Sequence, residues 1–126
     1  MAAFYKIDKE RRLVMSTGSG VLTLADLMAH QEKLLADPDF SPDFSQLWDL
    51  TNITEVELTS KDVHRLAQRS IFSPDSRRAI LVSRDLVFGL ARMFEIYRDI
   101  LGENGIRVFR NLDDALEWVL AKNTTG

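Results

Sequence analysis

Ala79-Ile80-Leu81-Val82 sets four apolar residues in a row with no polar residue between them. A strand written this way is buried on both faces, as inner strands of α/β sheets are. Helical spacing follows from about Leu86 to Leu101, and then a short β-prone run, Ile106 to Phe109. Strand, helix and strand in that order imply a right-handed parallel crossover. The rest of the chain is read outward from this unit.

On its C-terminal side, Asn111 reads as the N-cap of a last helix. Asp113 and Asp114 suit the positive end of its dipole, and Leu112, Ala115, Leu116, Val119 and Leu120 form its stripe. On the N-terminal side, Thr59 and Asp62 open a helix whose inner face is Val63, Leu66, Ala67, Ser70 and Ile71, ended by Ser73-Pro74-Asp75. Phe44 to Leu50 reads as a strand. Before it, Thr23 and Asp26 cap a helix with Leu24, Leu27, Met28, Leu34 and Leu35 inward, stopped by Pro38. Gly18 and Gly20 break the chain ahead of that helix. Phe4 to Asp8 and Leu13 to Thr17 flank the charged Lys9-Glu10-Arg11-Arg12, which predicts an antiparallel hairpin. The order β-β-α-β-α-β-α-β-α predicts one α/β domain over residues 1–126. It is a mixed five-stranded sheet, an N-terminal antiparallel hairpin followed by parallel strands, with four helices packed on it.

The 126 residues suffice for one core. A net charge of −3 disfavours nucleic acid as a partner, because that binding needs clustered Lys and Arg. Arg11-Arg12 and Arg77-Arg78 read as solvated surface charge. The absence of cysteine excludes disulfides, thiolate nucleophiles and Cys-based metal sites, and fits a reducing cytoplasm. The N-terminus lacks a signal-peptide pattern, and no apolar run approaches the ~18 residues of a membrane span. The expected location is cytoplasmic, with peripheral association at the membrane as the variant.

Catalytic and metal patterns are not found. His30 and His64 have no metal spacing, no Gly-x-Ser-x-Gly elbow is present, and both histidines read as structural or solvated. Asp37, Asp39, Ser41 and Asp43 alternate like calcium ligands, but Pro42 and Trp48 stand where that loop needs Gly and Glu. Gly18-Ser19-Gly20 lacks the lysine of a P-loop and the third glycine of a dinucleotide fingerprint, and reads as a turn. The expectation is a non-enzymatic protein with no metal and no cofactor.

A set of short segments adds to this. They are Gly20-Val21-Leu22-Thr23, Asp37-Pro38-Asp39-Phe40, Leu47-Trp48-Asp49-Leu50, Phe88-Gly89-Leu90-Ala91-Arg92-Met93-Phe94, Val108-Phe109-Arg110 and Ala115-Leu116-Glu117-Trp118. In order and spacing they resemble the SpoIIAA-like family, of the STAS-type fold, over nearly the whole chain. The resemblance implies a regulatory or binding module. It also implies a relation in fold to CRAL-TRIO lipid-transfer domains, which hold apolar ligands between helix and sheet. Anti-sigma-factor antagonists of this fold are switched by serine phosphorylation. Here Asp49-Leu50-Thr51 matches their lead-in, but Leu58-Thr59-Ser60-Lys61-Asp62 lacks their acidic residue and glycine. Thr59 and Ser60 are the candidate phosphosites of that alternative, and Thr59 also reads as a plain N-cap.

The third helix is the most informative segment for function. Leu86, Val87, Leu90, Met93, Phe94, Ile96, Tyr97, Ile100 and Leu101 fill about half of its circumference, more than the ~100° stripe that packing on one sheet needs. The excess calls for a neighbouring helix, a second subunit, a lipid-like ligand or a membrane surface; a regulatory protein partner belongs to the antagonist alternative. Arg84 follows the central strand's C-terminal end, where ligands bind in open α/β sheets. The site expected from the sequence is a cleft of Phe88, Arg92, Met93, Ile96 and Tyr97, with Trp48 and Asp49 from a strand end. It would take an apolar or amphipathic, lipid-like molecule, with Arg84 or Arg92 on its head group.

Overall fold

The computed structural model describes residues 3–69, 71–100 and 105–124. Its elements are β1 (Ala3–Asp8), β2 (Leu13–Thr23), α1 (Leu24–Ala36), β3 (Ser45–Glu57), α2 (Ser60–Ala67), β4 (Arg78–Leu81), α3 (Asp85–Ile100), β5 (Ile106–Phe109) and α4 (Leu112–Thr124). The five strands form one sheet in sequence order, β1 antiparallel to β2 and the rest parallel. This is the mixed α/β sheet the sequence predicts. Ser70 and Leu101, placed by the sequence on inner helix faces, lie outside the described residues.

Strand order explains the layering. Each parallel strand is added at the same edge of the sheet, and crossovers of one hand then fall on one face. α1, α2 and α3 are these crossovers, and they share the face that carries Leu22, Leu50 and Ile80. α4 follows the last strand and is free of that constraint. It covers the opposite face, where Ala115 and Val119 close over Leu13, Leu47, Ala79 and Leu81. β4 is covered on both sides, and all four of its residues are buried.

The caps read from the sequence are present. The Thr23 hydroxyl accepts from the Asp26 N–H at 3.1 Å, and the Asn111 side chain accepts from the Asp114 N–H at 3.1 Å. Thr59 and Asp62 form a reciprocal capping box. Leu35 and Leu112, expected inward, are exposed, and α2 stops at Ala67, before Ser73.

Two boundaries differ from the sequence reading. Gly18 and Gly20 do not break the chain: β2 runs through them to Thr23, so Gly18-Ser19-Gly20 is strand and not turn. The register against β3 shifts between Thr17 and Ser19 and again between Gly20 and Val21. Gly20 has φ +73°, a conformation that suits glycine. These glycines accommodate bulges instead of ending the strand. β3 likewise continues past Leu50 to Glu57, paired with the extension of β2.

The two basic pairs part company. Arg11 and Arg12 are exposed and pair with Asp8 and Asp43. Arg77 and Arg78 are not solvated surface charge. Arg77 is partly buried, lies 5.1 Å from the Trp118 ring centre and donates to the Trp118 carbonyl at 2.9 Å. Arg78 is the first residue of β4 and only 9% exposed. The strand's alternation sends it to the crossover-helix face together with Ile80.

Gly105 accepts the backbone N–H of Arg78 at 2.6 Å, tying the entry of β5 to β4. A Cβ at this position would collide with the backbone carbonyl oxygen of Ser76. Gly105→Ala should therefore cost about 2 kcal/mol through forced backbone movement. The check is urea unfolding, with a lower midpoint at unchanged slope. An unchanged midpoint would contradict this packing.

Candidate functional site

Between the sheet and the three crossover helices lies a cavity of ≈ 130 Å³. Leu22, Trp48, Leu50, Ile80 and Ile106 form its floor, and Leu27, Val63, Leu66, Leu90 and Phe94 its roof. The floor comes from alternate residues of β2 to β5. The roof comes from helix positions three and four apart, which share one face.

The lining is polar towards one end. Parallel register aligns Val14, Gln46, Arg78 and Ile106 in one row across the sheet, and Ser16, Trp48 and Ile80 in the next. Gln46 and Arg78 thus sit near the N-terminal ends of their strands, and the apolar rows run on from them towards Leu50. Gln46 donates to the Ser16 hydroxyl at 3.0 Å, and the same hydroxyl shares a hydrogen bond with His30 Nε2 at 2.9 Å. His30 is 4% exposed, with Trp48 and Tyr5 rings at 4.5 and 5.5 Å. The Arg78 guanidinium stacks over Phe72 at 5.1 Å. Its pKa is pushed down to about 9, by burial and then by the charge of Arg98. It therefore remains a cation at neutral pH. The amide oxygen of Gln31, which also lines the cavity, is buried without a hydrogen-bond partner.

No protein-family model and no curated protein matches this chain. Among solved structures it is similar to an uncharacterised protein of the DUF3478 family from Shewanella loihica PV-4, which has a SpoIIAA-like fold. The TM-score is 0.62 at 20% identity, over 94% of each chain. The fold is SpoIIAA-like. The likeness carries architecture alone.

Of the eight ligand-site residues expected from the sequence, this SpoIIAA-like structure puts Trp48 alone on the cavity. Asp49 points to the other sheet face, where its carboxylate accepts from the Thr51 N–H and hydroxyl at 3.0 and 2.6 Å. Arg84 and Arg92 are exposed, and Arg92 pairs with Glu95. Phe88 is not exposed. It packs on the core and is covered by the Arg110 guanidinium at 4.4 Å, while Arg110 pairs with Asp85 at 2.9 Å. Tyr97 stacks edge-on to His64 at 4.9 Å, and Met93 is partly buried. α3 turns Val87, Leu90, Ala91 and Phe94 to the cavity and leaves Leu86 and Ile96 in solvent. The cavity's cation is Arg78 and not Arg84 or Arg92.

The alternative site is bound up in structure. The Thr59 hydroxyl accepts from the Asp62 N–H at 3.1 Å, and Asp62 returns the bond to the Thr59 N–H at 3.0 Å. A phosphate on Thr59 would meet that carboxylate. Ser60 is exposed at the first helical position. The acidic loop is likewise engaged: Tyr5 donates to Asp37 at 2.8 Å, Lys9 reaches Asp39 at 3.2 Å, and Arg12 pairs with Asp43. Among the described residues no cluster of three or more metal-ligating side chains occurs.

His30 provides a pH test of the polar end. Burial, and then the charge of Lys33, lowers its pKa from 6.5 to about 4. The folded state therefore holds the ring neutral, and its contribution is complete above pH 6.5 and lost as pH falls towards 4. The loss should reach about 2–3 kcal/mol. Asp37 and Asp43, held below the usual carboxylate range by their hydrogen bonds, lose their contributions at lower pH. His30→Gln keeps a hydrogen-bonding side chain without the titration. It should flatten the stability profile between pH 6.5 and 4, measured by urea unfolding. A wild-type profile level across that window would refute a buried neutral His30.

Proposed function

We propose that this protein is a non-enzymatic binding module that holds an apolar or amphipathic small molecule in the cavity beneath α1, α2 and α3. The observation that carries the reading is an apolar space with a polar end inside an otherwise packed layer, since interiors normally close over voids of this size. The volume sets the ligand class. A cavity of about 150 Å³ accepts a benzene ring, so ≈ 130 Å³ takes a ring or a short alkyl segment. A long acyl chain would have to part the helices.

Catalysis is the weaker reading, although Ser16 and His30 are within the reach of a nucleophile and its base. A histidine with a pKa of about 4 is a poor base at neutral pH. The Ser16 hydroxyl is also occupied by Gln46. Both groups are deeply buried.

Native mass spectrometry of the purified protein, with thermal unfolding against short- and medium-chain acids, alcohols and alkylbenzenes, tests the proposal. A retained ligand mass or concentration-dependent stabilisation is expected, about 2.7 kcal/mol at a hundred times Kd. Ala91 lines the cavity and is buried, so Ala91→Phe should occupy the space and abolish that stabilisation. A clean apo mass with no thermal shift across the panel would overturn the proposal.

A further inference from the structure

We infer that the cavity selects a small neutral molecule with one hydroxyl, of the phenol class, which donates its O–H to the side-chain amide oxygen of Gln31. This rests on the cavity being a binding site, as proposed above, and adds the polarity of the occupant and the point at which it is held. Leu27, His30, Gln31 and Leu34 stand three and four apart on α1, and all four line the cavity. The inner stripe of this helix therefore includes a glutamine, while Glu32 and Lys33 beside it are exposed. The Gln31 amide oxygen is buried and accepts no hydrogen bond. Among the described residues that line the cavity, it is the one buried side-chain polar atom in that state. Interiors rarely keep a buried acceptor without a donor, because its lost hydration is not repaid. The neighbouring polar groups are turned elsewhere: the Gln46 amide and His30 Nε2 are both directed at the Ser16 hydroxyl.

The missing partner is a donor, and that decides the chemistry. An ether, a ketone or a carboxylate would set acceptor oxygens against the Gln31 oxygen. An alkylbenzene would leave it unmet. An ammonium also donates, but its charge is costly against so apolar a lining. A hydroxyl supplies one hydrogen bond and leaves the rest of the molecule apolar, to lie along Trp48, Leu50, Leu90 and Phe94. One ring suits the ≈ 130 Å³, and the Trp48 and Phe94 rings favour an aromatic neighbour. A site that hydrogen-bonds a hydroxyl rejects the analogue that lacks it, because the protein group is then left unpaired.

The test compares phenol with toluene, alike in shape, by NMR titration of the isotope-labelled protein at neutral pH. Phenol is the better hydrated of the two, so a cavity without an acceptor prefers toluene. The wild type should instead bind phenol at least as tightly as toluene. Gln31→Met keeps the side-chain length and replaces the amide with a far weaker acceptor. It should weaken phenol about tenfold, as loss of one hydrogen bond allows, and leave toluene unchanged. Toluene binding more tightly than phenol in the wild type would overturn the inference and leave the cavity reading standing, and this arm does not depend on how the variant folds. An unchanged ratio of the two affinities in the folded variant would overturn the inference as well. Binding of neither probe would overturn both.

Discussion

β4 has four residues and no side facing water. β3 and β5 flank it, α4 covers one face, and the crossover helices cover the other. A strand in that position must divide its side chains between the two layers. Ala79 and Leu81 go to α4, and Arg78 and Ile80 go to the cavity. Desolvating a guanidinium costs several kcal/mol in a protein interior. Stacking on Phe72 offsets part of that cost. An apolar side chain of similar length would fill the same space without the penalty.

The rest of the site follows from where the chain can put helices. Three crossovers of one hand crowd one face of the sheet, while a single terminal helix covers the other. The α4 face packs small residues, Ala79 and Ala115, against Leu13, Leu47 and Leu81. The crossover face carries large residues, and it also buries Ser16, Gln46 and His30, which satisfy one another through the Ser16 hydroxyl. A linked polar group of this kind is stable when buried and leaves the neighbouring apolar rows unbroken.

Much of the architecture was legible in the sequence. The unalternating Ala79–Val82 run, the Thr23, Thr59 and Asn111 caps and the charged hairpin turn each reflect local chemistry that tertiary packing did not override. The glycines of β2 misled because glycine marks a bulge as readily as a turn, and the choice depends on whether a partner strand is present. The site was less legible. The apolar surplus of α3 is divided between the cavity side, with Leu90 and Phe94, and solvent, with Leu86 and Ile96, and that division depends on how α2 and the sheet flank the helix. Arg78 was hidden by Arg77: side by side they read as a surface pair, and only strand alternation shows that neighbours point to opposite layers. The signal available was the spacing of Arg78 and Ile80, continuous with the buried run, and of Gln46, Trp48 and Leu50.

The central claim is that the protein binds an apolar group under α1, α2 and α3 and not elsewhere in its core. The most direct measurement is methyl NMR of protein labelled at Ile, Leu and Val, with xenon dissolved as an apolar probe. This account predicts saturable shifts at Val63, Ile80, Leu50 and Leu90, and none at Leu13, Val119 and Leu120 beneath α4. Shifts on the α4 side, or no saturable shift at all, would contradict it.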